Sequence, residues 1–140
     1  MDKVAQDMVI AIDPGREKCG IAVVHKVQGV IYKTIIATAD LVRVVTTLAT
    51  THKVFTAVIG DRTTSHAAQA ALTGIRVSEQ RVTVIPVNEH CSTDEARKRY
   101  WIEHPPKGFK RLLPTTMQVP PGPVDDYVAV ILAERYFAGQ

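Results

Sequence analysis

Apolar residues in the first third of the chain occur in short runs that suit β-strands. Residues 8–12 form an uninterrupted apolar run that ends at Asp13-Pro14-Gly15, as expected for a strand that is buried on both faces and stops at a turn. Residues 20–25 and 30–36 are rich in β-branched side chains and are separated by a short turn, which is typical of a hairpin. The pattern predicts three antiparallel strands, with the first strand central in its sheet.

The middle of the chain alternates between helical and strand-like patterns. Apolar residues recur at helical spacing from residue 39 to about residue 50, and a further strand is predicted at 54–59. Ser65 is a candidate cap for an alanine-rich helix that stops at Gly74. Residues 82–87 predict a fifth strand. Strands that alternate with helices indicate parallel pairing through crossover connections.

Two helices and a long loop complete the predicted fold. Ser92 and Glu95 have the spacing of a capping box, in which each side chain satisfies a backbone N–H at the start of a helix, here one that reaches about Trp101. Residues 104–122 hold five of the eight prolines and predict a long functional or mobile loop. A last helix is predicted at about 123–137. We therefore expect an α/β fold with a mixed five-stranded sheet, three antiparallel and then two parallel strands, flanked by helices.

Length and composition narrow the class of protein. The 140 residues suit a single domain spanning 1–140. No apolar run approaches the 18 or so residues that span a bilayer, and the opening residues lack the pattern of a signal peptide. Cys19 and Cys91 lack metal-ligand spacing and are expected to be reduced. We therefore expect a soluble, unexported, cytoplasmic protein.

The positive charge is concentrated in one segment. The formal net charge is only +3, but residues 97–111 carry six cationic side chains against the single carboxylate of Glu103, which leaves the rest of the chain slightly acidic. A local basic patch, more than the total charge, indicates contacts with phosphates. The side chains predicted to bind nucleic acid are Arg97, Arg99, Lys107, Lys110 and Arg111.

A few carboxylates stand apart from the solvated majority. Asp13 ends the most apolar strand, where its alternative role is that of a turn residue. Glu89 follows the fifth strand and is not needed for the capping box, although it could be a solvated loop residue. Asp125 and Asp126 open the last helix, where either could simply compensate the helix dipole. A helical wheel places Asp125 beside the apolar stripe and predicts that Asp126 points toward water.

These carboxylates meet at one rim if the first strand is central in the sheet. Two like charges about 4 Å apart repel by roughly 4 kcal/mol at an effective dielectric constant of 20, and a divalent cation reverses that repulsion. Ligation by oxygen alone, without a His or Cys cluster, favours Mg²⁺ or Mn²⁺. One or two such ions support phosphoryl transfer, because they activate a water and stabilise the leaving oxygen.

Three motifs carry a resemblance to a known family. They are Ile12-Asp13-Pro14-Gly15 with the following Gly20-Ile21-Ala22-Val23, the run from Asn88 to Ala96 that contains Glu89, and Val124-Asp125-Asp126 with the following Ala129-Val130-Ile131-Leu132. Together they resemble the YqgF (RuvX) family of RNase H-like proteins, described as pre-16S rRNA nucleases or Holliday-junction resolvases. The resemblance implies that Asp13, Glu89 and Asp125 occupy catalytic, metal-binding positions, and that structured RNA or branched DNA is the partner.

The chain also departs from that family. Asn88 and His90 stand where the family usually has Asp and Arg, and Glu17-Lys18 stands in place of Lys-Arg. Asp61, after the fourth predicted strand, looks more like the carboxylate that RuvC-type resolvases and RNase H use there. Asp61 is thus a candidate fourth ligand, with a turn residue paired to Arg62 as the alternative.

We expect a Mg²⁺- or Mn²⁺-dependent nuclease, acting as a monomer or homodimer, with no membrane partner. The alternative is a nucleic-acid-binding module of the same fold that cuts weakly or not at all, which the altered Glu17 and His90 favour. An actin-like ATPase is disfavoured, because a second lobe and a second phosphate loop are missing from the sequence. Trp101 and Phe109 could stack on a base, with core packing the alternative for Trp101.

Overall fold

The protein is described by a computed structural model that covers residues 7–62 and 65–139. The strands are β1 (Met8–Asp13), β2 (Lys18–His25), β3 (Gly29–Ala37), β4 (Thr56–Gly60), β5 (Arg76–Val77), β6 (Gln80–Arg81) and β7 (Thr83–Val87). The helices are α1 (Leu41–His52), α2 (Ser65–Thr73), α3 (Ser92–Glu103) and α4 (Asp125–Ala138). No helix within these residues is long and apolar enough to cross a membrane.

The main sheet has five strands in the order β3-β2-β1-β4-β7. β2 pairs antiparallel with both β1 and β3, whereas β4 pairs parallel with β1 and with β7. The predicted mixed sheet of three antiparallel and then two parallel strands is therefore confirmed. β1, the most apolar run, is the central strand.

Alternation along β1 divides the core into two layers. Ile10 and Ile12 face the layer that contains buried residues of α1 and α2, whereas Val9 and Ala11 face the layer built from α3 and α4. Successive side chains of a strand point to opposite faces. Asp13 therefore continues the Val9 and Ala11 series and lies on the same face as α4.

Two local expectations are wrong. The capping box does not form, because Cys91 is the N-cap of α3 in a left-handed conformation with φ 58° and makes no side-chain cap. Ser92 thus becomes the first helical residue, and Glu95 pairs with Arg135 at 2.8 Å instead. Ser65 likewise begins α2 as a helical residue, and its Oγ accepts a hydrogen bond from Gln69 at 2.9 Å.

A short hairpin was not expected from the sequence. β5 and β6 pair antiparallel through a turn in which Ser78 and Glu79 have φ values of 51° and 68°. Two positive φ angles are typical of a tight hairpin turn, but Asn and Gly are the residues that normally signal it. Without that signal, the pattern of residues 75–81 does not identify the hairpin.

The prediction that Asp126 points toward water is also wrong. Its Oδ2 accepts a hydrogen bond from Lys33 Nζ of β3 at 3.0 Å, and its side chain is only 16% exposed. Lys33 also lies over the ring of Tyr127, 4.2 Å from its centroid. A wheel centred on the sheet-facing stripe places Asp126 on the open side, but β3 extends far enough to cover that side of α4.

Residues 104–122 form a connection without an α-helix, as predicted, but they are not wholly irregular. Short 3₁₀ turns occur at Gly108–Leu112 and Thr115–Met117. Gln118 donates hydrogen bonds to the carbonyls of Lys110 and Leu113, at 3.0 and 3.1 Å. We call this connection the proline-rich loop.

Candidate functional site

The C-terminal end of β1, which is Asp13, lies beside the beginning of α4. Asp13 is paired across the sheet with Gly20 of β2. A Cβ atom at Gly20 would lie 1.9 Å from the Asp125 carbonyl oxygen, so the helix end rests directly on the backbone of β2. A glycine inside a strand often marks such a close approach. Gly20 therefore allows Asp125 to begin its helix beside Asp13.

A second glycine has the same effect on the other side of Asp13. The register pairs Ile12 with Ile59, which brings Gly60 of β4 level with Asp13. A Cβ atom at Gly60 would lie 1.9 Å from Glu89 Oε2. The Glu89 side chain thus covers Gly60, and the three carboxylates of Asp13, Glu89 and Asp125 lie at one rim of the sheet.

The electrostatics of Asp13 reflect this arrangement. Burial and then the negative charges of Asp125 and Glu89 together raise the pKa of Asp13 to about 7, against a smaller lowering by Arg62. Desolvation and like charges both disfavour the ionised form of a carboxyl group. Asp13 is thus a carboxyl group whose negative charge would be stabilised by a nearby cation.

Glu89 is the most enclosed of these carboxylates. It is 4% exposed, and its Oε1 forms an ion pair with Arg62 Nε at 2.7 Å, whereas the Arg62 side chain is largely exposed. Burial raises the pKa of Glu89, Arg62 opposes that rise, and the charge of Asp61 adds to it. Arg62 is the cation that balances Glu89.

Asp61 lies near this rim and contacts the backbone of the Glu89 loop. Its Oδ1 accepts a long hydrogen bond, 3.4 Å, from the Glu89 backbone N–H. The suggested ion pair between Asp61 and Arg62 is replaced by the pair between Arg62 and Glu89. Asp61 is exposed, and its negative charge is close enough to raise the pKa of Glu89.

The loop that carries Glu89 is fixed from two sides. Arg135 of α4 donates to the Asn88 carbonyl at 2.8 Å and also pairs with Glu95 of α3 at 2.8 Å. Asn88 Oδ1 accepts a hydrogen bond from the His90 backbone N–H at 2.8 Å, which closes a local turn. Arg135 therefore ties the Glu89 loop and the start of α3 to the same helix that carries Asp125.

The donor set at this rim consists of carboxylate oxygens, which suit a hard divalent cation such as Mg²⁺ or Mn²⁺. Burial and then the neighbouring carboxylates disfavour the ionised form of Asp13, and such a cation would stabilise that form. In their present conformation, however, no three His, Cys, Asp or Glu side chains within the described ranges form a group that could hold a metal ion. Glu89 is turned to Arg62, so binding of a metal there requires a change of side-chain partner.

The predicted cationic residues have different surroundings. Lys107, Lys110 and Arg111 are exposed on the proline-rich loop. Arg97 lies on α3 and lines a cavity of about 220 Å³ together with Asp125. Arg99 is already bound to Glu134 of α4 at 2.6 Å and is less exposed.

No known family profile matches the chain, and no curated protein matches its sequence. A solved structure does match the fold. The structure of RuvC from Thermus thermophilus aligns with a TM-score of 0.52 at 14% identity, covering 94% of each chain. The fold is RNase H-like. At this identity the similarity shows the fold alone.

Sequence reasoning selected the carboxylates but missed the residues that position them. Gly20 and Gly60 lack a side chain and so allow the close approach of Asp125 and Glu89. Arg62 forms an ion pair with Glu89, and Arg135 donates to the carbonyl of Asn88 in the same loop. Glycine within an otherwise β-branched strand is a signal that could have identified Gly20. The roles of the two arginines depend on contacts between elements distant in sequence, so no local pattern indicates them.

Proposed function

We propose that this protein is a Mg²⁺- or Mn²⁺-dependent nuclease that hydrolyses phosphodiester bonds in structured RNA or branched DNA. The observation that carries the proposal is the grouping of three carboxylates from β1, the Glu89 loop and α4 around two glycines that admit them. The likeness of fold to RuvC supports a nuclease, and pre-16S rRNA processing or Holliday-junction resolution are the specific activities we propose. We further propose that residues 1–140 act as one cytoplasmic domain, as a monomer or homodimer.

In this proposal Asp13, Glu89 and Asp125 hold one or two metal ions, with Asp61 as the candidate fourth ligand. When bound, such ions lower the pKa of a water and stabilise the leaving oxygen. Asp13 lies between the other two carboxylates and would supply a ligand to both sides of the site. Because its pKa is raised to about 7, part of the Asp13 population is protonated at neutral pH and would release its proton when a cation binds.

Two residues adjust the site around these ligands. Arg62 neutralises Glu89 in the metal-free protein and must release its carboxylate when a cation takes over that role. Arg97, which lines a cavity with Asp125, would contact the phosphate next to the scissile bond. The exposed cations of the proline-rich loop would hold phosphates farther along the substrate.

The direct test is cleavage of a four-way DNA junction and of a precursor 16S rRNA fragment with Mg²⁺ or Mn²⁺. We expect Asp13→Asn to reduce the rate by about 100-fold or more, because outer partners of metal ligands alone contribute 10- to 100-fold. Asp7→Asn is the matched control, since Asp7 lies at the opposite end of β1. Full activity in Asp13→Asn would refute the assignment.

The second candidate function is a nucleic-acid-binding module of the same fold without efficient cleavage. The ion pair between Arg62 and Glu89 favours it, because an arginine bound to a would-be ligand competes with the metal. Thermal unfolding of wild type and Arg62→Ala with and without Mg²⁺ separates the two functions. A nuclease should show a Mg²⁺-dependent rise in Tm that is larger in Arg62→Ala. A binding module should show no such rise in either protein.

A further inference from the structure

The surface between α3 and the proline-rich loop contains a chain of three cavities that begins at the candidate site. The first, of about 220 Å³, is lined by Asp125, Arg97 and Val119. The second, of about 390 Å³, shares Arg97 and Val119 with the first and reaches Trp101. The third, of about 870 Å³, shares Trp101 and Val119 with the second. A continuous groove therefore leads from Asp125 along α3, and we call it the α3 groove.

The far end of the α3 groove is aromatic. Tyr100, Trp101, His104 and Phe109 line the largest cavity. Phe109 is 79% exposed, although an isolated phenyl ring in water loses the burial that normally stabilises it. Met117 and Val119, which also line the groove, are exposed to a similar degree. An exposed apolar patch of this kind marks a binding surface.

The charges along the α3 groove suit a polyanion. Arg97 and Lys98 line its middle cavity, where Asp94 is the acidic side chain, and Lys107 and Lys110 line its far cavity. Asp94 lies 3.9 Å from Arg97, a weak pair between exposed side chains. Cations interleaved with aromatic rings are the arrangement by which proteins hold single-stranded nucleic acid, with phosphates on the cations and bases on the rings.

Trp101 adds an observation that packing alone does not explain. Across the described part of the chain, its indole Nε1 is shielded from solvent and has no hydrogen-bond partner. Shielded donors in folded proteins nearly always have an acceptor, and an exception calls for an explanation. A phosphate or base oxygen in the groove would supply that acceptor once the indole turns its Nε1 toward the groove.

We propose that the α3 groove binds an unpaired strand of nucleic acid leaving the candidate site, with a base stacked on Phe109 and its neighbour against Trp101. The proposal rests on the proposed function for its substrate class and specifies which part of the substrate is single-stranded. An enzyme acting at a junction or a processing site meets such strands where duplexes end. The groove is enclosed between α3 and the proline-rich loop, so it would engage one strand and leave the duplex outside.

Trp101 is the only tryptophan in the chain, so its fluorescence reports on this groove. Titration with a single-stranded oligomer of about ten nucleotides, in EDTA so that no metal-dependent cleavage occurs, should quench Trp101 emission as the oligomer binds. An abasic oligomer of equal length and charge should bind about tenfold more weakly and should not quench. The difference between the two oligomers measures contacts to bases rather than to phosphates.

Variants then locate the contact by the anisotropy of a labelled oligomer. Phe109→Leu keeps an apolar side chain but removes the ring, and we expect about tenfold weaker binding. Lys110→Ala should weaken the binding of the oligomer and of its abasic form by the same factor. Val27→Ala and Lys26→Ala, exposed changes in the β2–β3 turn, are the matched controls and should bind as wild type does.

Three results would overturn the proposal: equal binding of the abasic oligomer, wild-type affinity in Phe109→Leu, or no oligomer binding at all. Absence of oligomer binding would remove nucleic acid as the occupant and leave a protein partner as the alternative for the exposed apolar side chains. Failure of the proposed strand binding in the α3 groove is distinguishable from failure of the proposed nuclease function. Base-dependent binding without metal-dependent cleavage would leave the groove standing and remove the nuclease, and cleavage without base-dependent binding would do the reverse.

Discussion

The two glycines beside Asp13 make different demands on the structure, although both would clash with an added methyl group. At Gly20 the obstacle is the Asp125 carbonyl oxygen, which belongs to the backbone, whereas at Gly60 it is the end of the Glu89 side chain. Backbone at a helix end moves only with its helix, but a side chain can rotate. The same substitution therefore tests fold at one position and function at the other.

We expect Gly20→Ala to lower the free energy of unfolding by about 1–3 kcal/mol, the usual range for overpacking. Gly60→Ala should cost less stability but displace Glu89, and a displacement of about 1 Å can lower a rate by about 100-fold. Chemical denaturation and the cleavage assay measure the two effects. Gly74→Ala, where an added Cβ meets only an ordinary contact at 3.8 Å, is the control. Equal stability of Gly20→Ala and wild type would contradict the close approach of α4.

The raised pKa of Asp13 also predicts how the metal-free protein responds to pH. A carboxyl group with a pKa of about 7 when folded and about 3.8 when unfolded favours the folded state in its protonated form. Its contribution is present below pH 4 and is lost as the pH rises toward 7. In EDTA, wild type should therefore lose stability over this range relative to Asp13→Asn, by at most about 4 kcal/mol.

Urea unfolding of both proteins between pH 4 and pH 8 measures this difference, and other titrating groups cancel in the comparison. Parallel stability curves would show that Asp13 ionises at an ordinary pKa. Addition of Mg²⁺ at pH 7.5 should restore wild type but not Asp13→Asn, if the carboxylates are the ligands. Asp7→Asn again serves as the control.

At the scale of elements, α4 is held to the sheet by more than its apolar face. Lys33 joins β3 to Asp126 at 3.0 Å and also lies over the Tyr127 ring. The Tyr127 hydroxyl in turn lies 3.3 Å from His104 Nε2, at the start of the proline-rich loop. These contacts connect the edge strand, the helix of Asp125 and the loop that forms the α3 groove.

A double-mutant cycle of Lys33→Met and Asp126→Asn measures the first link. We expect a coupling energy of about 1 kcal/mol, more than for a fully exposed pair, because both side chains are partly shielded. The i,i+3 pair of Asp40 and Arg43, which is 3.6 Å apart and more exposed, is the comparison and should couple by less than about 0.5 kcal/mol. Additive single-mutant effects at Lys33 and Asp126 would contradict a structural role for the pair.

The elements differ in how far the sequence reveals them. An apolar run indicates β1, because a strand buried on both faces has few polar residues. The β-branched residues on either side of a short turn indicate β2 and β3, although β3 is at most partly buried. The β5–β6 hairpin lacked turn residues that announce it, and Cys91 took a cap position that its type does not favour. In each case the packing of neighbouring elements outweighed the local preference of one residue.

At the scale of the molecule, the candidate carboxylates could be selected because they end or begin strongly patterned elements, and β1 was expected at the centre. The positions of these carboxylates relative to one another could not be predicted from the sequence. They depend on the contacts of Gly20 with the start of α4 and of Gly60 with the Glu89 side chain. The ion pair of Glu89 with Arg62 could not be predicted either, because the two residues are 27 positions apart in the sequence. Local patterns therefore predict where the site lies, and tertiary contacts determine which cation neutralises each carboxylate.

The cationic side chains of residues 97–111 differ in whether they already have an acidic partner in the protein. Arg99 is bound to Glu134 at 2.6 Å, whereas Lys110 is exposed on the proline-rich loop. Each phosphate contact to duplex DNA contributes about 0.9 to the slope of log affinity against log salt. Lys110→Ala should lower the slope by about that amount, and Arg99→Ala should leave it unchanged while weakening the packing of α3 on α4.

Affinity for a four-way junction, measured between about 50 and 200 mM salt without divalent metal, separates these two roles. Lys26→Ala, an equal change of charge in the β2–β3 turn, controls for the general field of the protein. If Arg99→Ala lowers the slope as much as Lys110→Ala does, Arg99 exchanges Glu134 for phosphate on binding. In that case Arg99 would bind phosphate as Lys110 does, and its ion pair with Glu134 would be a contact of the unbound protein alone.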